Sequence, residues 1–178
     1  MNQQFVENIS DIIFIERQQL FTRADAVIYH PGHFPELNEQ ISNLFHKEGF
    51  NHLFIPNVYN SFLQANEYEY HTPLLVELDI PADIIHPIAG EFNDGCDVVI
   101  GAVQQLDKDM RNILLAGKAF FCRRFLILAT LHADSNRIFD VLPLLDHRGI
   151  DKENWYRTDK GKARVFNEMK VINSILNG

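Results

Sequence analysis

The chain has 178 residues, 46% of them hydrophobic, which is enough for one domain with a single core. Its formal net charge of -8 excludes the broad basic surface that non-specific nucleic-acid binding or adhesion to an anionic membrane requires. Any anion site in such a chain has to be local.

The first segment, VENISDIIFIERQQ, spaces its apolar residues as a helix does and offers Ser10 and Asp11 as turn or cap residues, so residues 1–23 read as a helix packing on the core. ADAVIYHPGH is a short run of β-formers ending in Pro31 and Gly32, predicted as a buried strand entering a tight turn. ELNEQISNLFHKEG repeats Leu37, Ile41, Leu44 and Phe45 on one helical face and stops at Gly49, a natural C-cap. HLFIPN is the second predicted strand, residues 58–66 read as loop, and EYEYHTPLLVELDIP reads as a helix in which Pro73 occupies the first turn or marks a kink. ADIIHPIAG is the third strand; the turn-forming EFNDG and the helical CDVVIGAVQQLDKD follow it. NILLAG is the fourth strand and RRFLILATL the helix after it. RIFDVLPLL is the fifth strand, with Pro143 better suited to a sheet edge than to its centre. TDKGKARVFNEMKVINSILNG closes the chain with Val165, Met169, Ile172 and Leu176 as an apolar helical stripe.

No repeat, low-complexity tract or linker divides this series, so residues 1–178 read as a single domain. Strands alternating with amphipathic helices need crossover connections, which predicts a three-layer α/β/α Rossmann-like fold with a mostly parallel sheet of about five strands. In such sheets ligands bind outside the carboxyl ends of the strands, where strand order reverses. The residues that follow the strands are Gly32 and His33, then Asn57, then Glu91, Asn93 and Asp94, then Lys118, Arg123 and Arg124. From the EYEYH run Glu67 joins them. An acidic and a basic cluster on one edge can hold a zwitterionic or nucleotide-like ligand through charge-assisted hydrogen bonds.

Each candidate has a structural alternative. Gly32 is not embedded in a GxGxxG pattern, and turning the chain is sufficient reason for it. Asn93 and Asp94 are good N-caps for the helix that follows, a position that still borders the crevice. Arg123 and Arg124 are either solvated first-turn residues or part of the site; cations at a helix N-terminus oppose the macrodipole and need some other reason to be there. His30 and His33 straddle Pro31 and Gly32 rather than one helical turn, which argues against a metal. Cys96 and Cys122 form neither a CxxC pair nor a zinc-finger spacing and read as free thiols. Cys122 has no His with an orienting partner beside it, and burial is the commoner fate of such a residue. The remaining histidines carry no pattern and read as surface or satisfied core residues. The N-terminus lacks a basic region followed by an apolar stretch, and no run approaches the roughly 18 apolar residues of a membrane span, so a cytoplasmic protein is expected.

From ADAVIYHPG to the C-terminal helix, the order of parts resembles the YdcF/SanA/ElyC-like family of Rossmann-like proteins. ADAVIYHPG is similar to the family's opening strand and glycine turn, and NEYEYHTPLLVELDIPADIIHPI to its Ser-Glu-containing helix and following strand, with Glu67 on the family's glutamate. EFNDGCDVVIGA resembles an Asn-Thr-x-Glu-Asn helix start: Asn93 matches, whereas Asp94 stands for the Thr, Cys96 for the Glu and Asp97 for the Asn. GKAFFCRRFLILA resembles a Phe-His-x-Arg-Arg segment, with Arg123 and Arg124 on the arginines and Phe121 in the histidine position.

The resemblance implies a bacterial protein that binds a small anionic or nucleotide-like ligand, S-adenosylmethionine being reported for one branch. The expected site comprises Gly32, His33, Asn93, Lys118, Arg123 and Arg124 as binding residues, with Glu67 and Asp94 as candidate catalytic groups. Replacement of the family's His and Glu removes its two best proton-transfer groups, which favours binding. The alternative is a hydrolase or transferase acting on a phosphorylated or nucleotide-like metabolite linked to cell-envelope metabolism.

Overall fold

The computed structural model describes residues 1–134 and 136–177. Five strands form one parallel sheet: β1 (Ala24–His30), β2 (Phe50–Pro56), β5 (Ile85–Ile88), β6 (Asn112–Lys118) and β7 (Ile138–Leu144), in the order β5-β2-β1-β6-β7. Six helices flank it: α1 (Gln3–Ile13), α2 (Leu37–Glu48), α3 (Glu67–Glu77), α4 (Gly95–Gln104), α5 (Cys122–His132) and α6 (Asp159–Asn177). The fold is the three-layer α/β/α arrangement that the alternation of short apolar runs and amphipathic segments predicts.

The period-two alternation of the strands sorts the core into two layers. Val27 and Tyr29 of β1, with Leu53, Ile55, Leu114 and Ala116, face α2 and α3 and pack on Leu37, Ile41 and Leu75. Ala26 and Ile28, with Ile113, Leu115 and Val141, face the opposite way onto Val99 of α4, Phe125 of α5 and Val165 of α6. The N-terminal helix covers this second layer through Ile9 and Ile13.

Three local features differ from the sequence expectation. The first helix stops at Ile13, and the chain continues extended, because the buried carboxylate of Asp140 accepts hydrogen bonds from Gln18 N (2.9 Å) and Leu20 N (3.2 Å). Residues 58–66 contain a short hairpin, β3 (Tyr59–Asn60) against β4 (Ala65–Asn66), held by an Asn60 side chain that accepts from Phe62 N. Pro73 sits in the second turn of α3 and leaves the carbonyl of the exposed Glu69 without its helical donor. Pro143 does lie in an edge strand, β7, and the opposite edge strand, β5, carries Pro87. Among the described residues no helix is long and apolar enough to cross a membrane.

Candidate functional site

The chain runs from β1 outward through β2 to β5, then returns to β6 on the other side of β1. Strand order therefore reverses between β1 and β6, and a crevice opens at their carboxyl ends. His30 ends β1 and Lys118 ends β6, with His30 paired to Gly117 across the ladder.

Two cavities meet there. One, of about 250 Å³, is bordered by His30, Lys118, Phe121, Arg124, Arg148 and Arg164. The other, of about 200 Å³, is bordered by His30, Glu67, Phe92, Asn93, Asp94 and Val98. His30 and Gly95 border both, so the two cavities adjoin across these residues as a cationic half and a carboxyl-bearing, more apolar half of the strand-end region.

The half-buried Lys118 has no carboxylate within ion-pair distance among the described residues. Its Nζ donates a long hydrogen bond to Pro31 O (3.4 Å) and lies 5.0 Å from the centre of the Phe34 ring. Burial lowers its pKa to about 8; the field of Glu67 works against this, and the nearby Arg148 adds to it. Arg148 comes from the loop after β7. Its guanidinium lies 4.4 Å over Phe34 and is gripped by Asp146, with Nε 3.0 Å from each carboxylate oxygen. Burial pushes the Asp146 carboxyl up, but the hydrogen bonds from Arg148 outweigh it and hold the group below the usual carboxylate range.

Arg124, in the first turn of α5, reaches across to α6. Its Nη2 donates to Glu168 Oε1 (3.0 Å), and its Nε approaches Oε2 at 2.9 Å as an ion pair without hydrogen-bond alignment. Glu168 is only 3% exposed, and burial raises its pKa in spite of Arg124. The same guanidinium lies 4.5 Å over the ring of Phe121, which in turn packs at 5.2 Å against His30. Burial, with Lys118 and Arg124 adding to it, lowers the His30 pKa to about 3 and keeps the imidazole neutral.

In the other half, Glu67 opens α3 at 7% exposure. Its Oε1 accepts from Asn60 Nδ2 (2.8 Å) and its buried Oε2 has no aligned partner among the described residues; burial raises its pKa, against Asn60, Lys118 and the Gly32 backbone. Asp94 caps α4, its Oδ1 accepting from Cys96 N (2.6 Å) and Asp97 N (3.1 Å); Asn93 is tied to Asp97 Oδ2 through its backbone N and its Nδ2, both at 2.9 Å. His33 stacks between Phe34 (4.0 Å) and the exposed Phe62 of the hairpin (4.4 Å). Gly32 has a φ of 62° and lies beneath Lys118; its carbonyl accepts from Nε2 of the fully buried His71 (2.8 Å). His71 Nδ1 lies 3.1 Å from the side-chain amide of Asn38, whose Oδ1 accepts from the Tyr29 hydroxyl (2.8 Å).

Of the residues expected from the strand ends, Gly32, His33, Lys118 and Arg124 meet at the cationic half, and Glu67, Asn93 and Asp94 at the other. Arg123 is not brought in: its Nη2 donates to Asp11 O of α1 (2.9 Å), and it borders a separate cavity with Phe14 and Asp140. Cys122 is buried, donates to Gly117 O (3.3 Å) and has its thiol pushed up to about 12 by burial. Sequence reasoning missed His30, His71, Arg148, Arg164 and Glu168. His30 alone carried a usable signal, being the last residue of the first predicted strand. Compared with family models, with curated proteins and with solved structures, the chain matches none.

Proposed function

We propose that the crevice binds a small anionic or nucleotide-like molecule, and that the chain is a Rossmann-like binding protein related to the YdcF/SanA/ElyC-like family. The observation that carries the reading is the convergence of Lys118, Arg124, Arg148 and Arg164 on one cavity in a chain whose net charge is -8. Arg124 and Arg148 are neutralised from behind by Glu168 and Asp146, whereas Lys118 and Arg164 make no ion pair among the described residues. A phosphate or carboxylate on the ligand supplies the missing counter-charge. Arginine forks and a lysine point charge together suit phosphate oxygens. The carboxylate of S-adenosylmethionine fits the same place; its sulfonium does not fit among four cations, so anions without a fixed positive charge are the better candidates.

Thermal-shift titration with sulfate, nucleotides, sugar phosphates and adenosylmethionine tests this, repeated on Lys118→Ala and Arg148→Ala. Stabilisation by phosphorylated compounds that both substitutions weaken supports the site. Equal shifts in wild type and both variants sink it.

A second reading rests on Glu67. A buried carboxyl with a raised pKa on a residue that borders a cavity is suited to donating a proton, as a hydrolase or transferase of a phosphorylated metabolite needs. Asp94 is committed to its cap, so Glu67 is the stronger of the two carboxylates. Product formation from a bound phosphoester, abolished by Glu67→Gln with binding retained, separates catalysis from binding.

A further inference from the structure

Lys118 is placed unlike a lysine that only neutralises an anion. It ends a central strand at the switch point, half-buried, and among the described residues no carboxylate pairs with it. An aromatic ring lies on one side of the ammonium, and Arg124, Arg148 and Arg164 border the same cavity. Desolvation beside other cations is the environment that frees a lysine amine for nucleophilic attack near neutral pH. The surrounding guanidiniums are placed to hold an anionic tail while leaving the amine free to meet a second functional group.

Resting on the anion-site reading, we propose that Lys118 forms a Schiff base with a carbonyl compound that also carries a phosphate or carboxylate, so that the crevice takes small anionic aldehydes or keto acids. The neutral amine adds to the carbonyl carbon as the C=O π bond opens, and one nitrogen proton passes to that oxygen, giving a neutral carbinolamine. The carbinolamine hydroxyl takes a proton from Glu67, which borders the adjoining cavity and whose field acts on Lys118, and leaves as water. The product is a protonated imine on Lys118 beside a Glu67 carboxylate. The field of that carboxylate balances the iminium charge. No oxidant, reductant or metal enters the step. The lowered pKa of Lys118 agrees with this placement, since an appreciable fraction of the amine is free at pH 7 to 8.

The test is reductive trapping of the full chain with sodium cyanoborohydride and glyceraldehyde 3-phosphate, glyoxylate or pyruvate, read by intact mass and peptide mapping. The expected result is one adduct, mapped to Lys118, forming at least tenfold faster than at any other lysine and absent from Lys118→Arg. Excess inorganic phosphate should slow it. Glu67→Gln should slow trapping while leaving the phosphate-induced thermal shift in place. Adducts spread over the lysines with no excess at Lys118 overturn the covalent proposal, and if phosphate still shifts the melting temperature the anion site survives that result. Absence of any phosphate shift, with Lys118 still selectively trapped, overturns the anion site and leaves the nucleophile standing.

Discussion

The ammonium of Lys118 lies 3.0 Å from where a Cβ on residue 32 would stand, so the glycine turn after β1 and the lysine at the end of β6 fix one another's place. Gly32 also has a φ of 62°, in the left-handed region that a side chain disfavours. Gly32→Ala should therefore cost about 1–2 kcal/mol in urea unfolding from backbone strain. It should also weaken sulfate binding several-fold, because the lysine has to move aside. A variant that loses stability but binds sulfate as wild type does would show that Lys118 finds the anion from elsewhere.

His71 holds that turn from beneath. Replacing it with Leu removes the donor to Gly32 O and leaves the buried Gly32 carbonyl and Asn38 amide each short of a partner. The expected loss is about 1–3 kcal/mol for the unsatisfied groups. Hydrogen exchange at the Gly32–Phe34 amides should quicken in the variant. Unchanged exchange there would mean that the turn is held by its own backbone.

The Arg124–Glu168 pair is buried on both sides, with side-chain exposures of 15% and 4%. Arg124→Met leaves Glu168 without its counter-charge and should cost about 3 kcal/mol. The double substitution Arg124→Met with Glu168→Leu should recover most of that loss, since an apolar pair incurs no desolvation of charge. Additive losses in a double-mutant cycle would show that the two side chains do not act together.

Sulfate does not change its charge near neutrality, so the ligand adds no titration of its own to that of Lys118. Below pH 8 the ammonium is charged and attracts the anion; above pH 8 it is neutral, and affinity should fall. By pH 9.5 the loss should reach about tenfold, the size of one charge-assisted hydrogen bond of about 1.5 kcal/mol. Lys118→Met should flatten the profile. The stability contribution has the opposite trend: between pH 8 and 10.5 the unfolded chain binds the extra proton, so this group favours folding more as pH rises.

In the first turn of α6, a Cβ on Gly161 would meet the Trp155 carbonyl at 2.2 Å. Trp155 is fully buried and its indole donates to Ser10 Oγ (2.8 Å), so α6 rather than the tryptophan has to yield. Gly161→Ala should cost about 1–3 kcal/mol by overpacking. It should also weaken sulfate binding, because Arg164 and Glu168 ride on the same helix. Circular-dichroism melts beside the binding titration check both.

The strands were legible because parallel strands buried on both faces read as unbroken apolar runs, as ADAVIYH and NILLAG do. The true end of α1 was not legible, since its cause, Asp140, lies more than a hundred residues away. The same limit hid much of the site. His71 has meaning only once Gly32 and Asn38 are folded against it, and Arg148, Arg164 and Glu168 reach the crevice from the loop after β7 and from α6. Arg123 and Arg124 were indistinguishable in sequence. Successive helical residues point about 100° apart, so only Arg124 faces the cavity while Arg123 turns to α1.

The two prolines at the rims of the sheet bear on how the protein behaves in a crowded solution. Pro87 in β5 and Pro143 in β7 each place a residue without an N–H in an outermost strand. A neighbouring chain that tried to extend the sheet would find a gap in the row of donors on either side. Sideways polymerisation into β-aggregates is thereby resisted at both margins, and the strands can remain strongly apolar without becoming templates for one another.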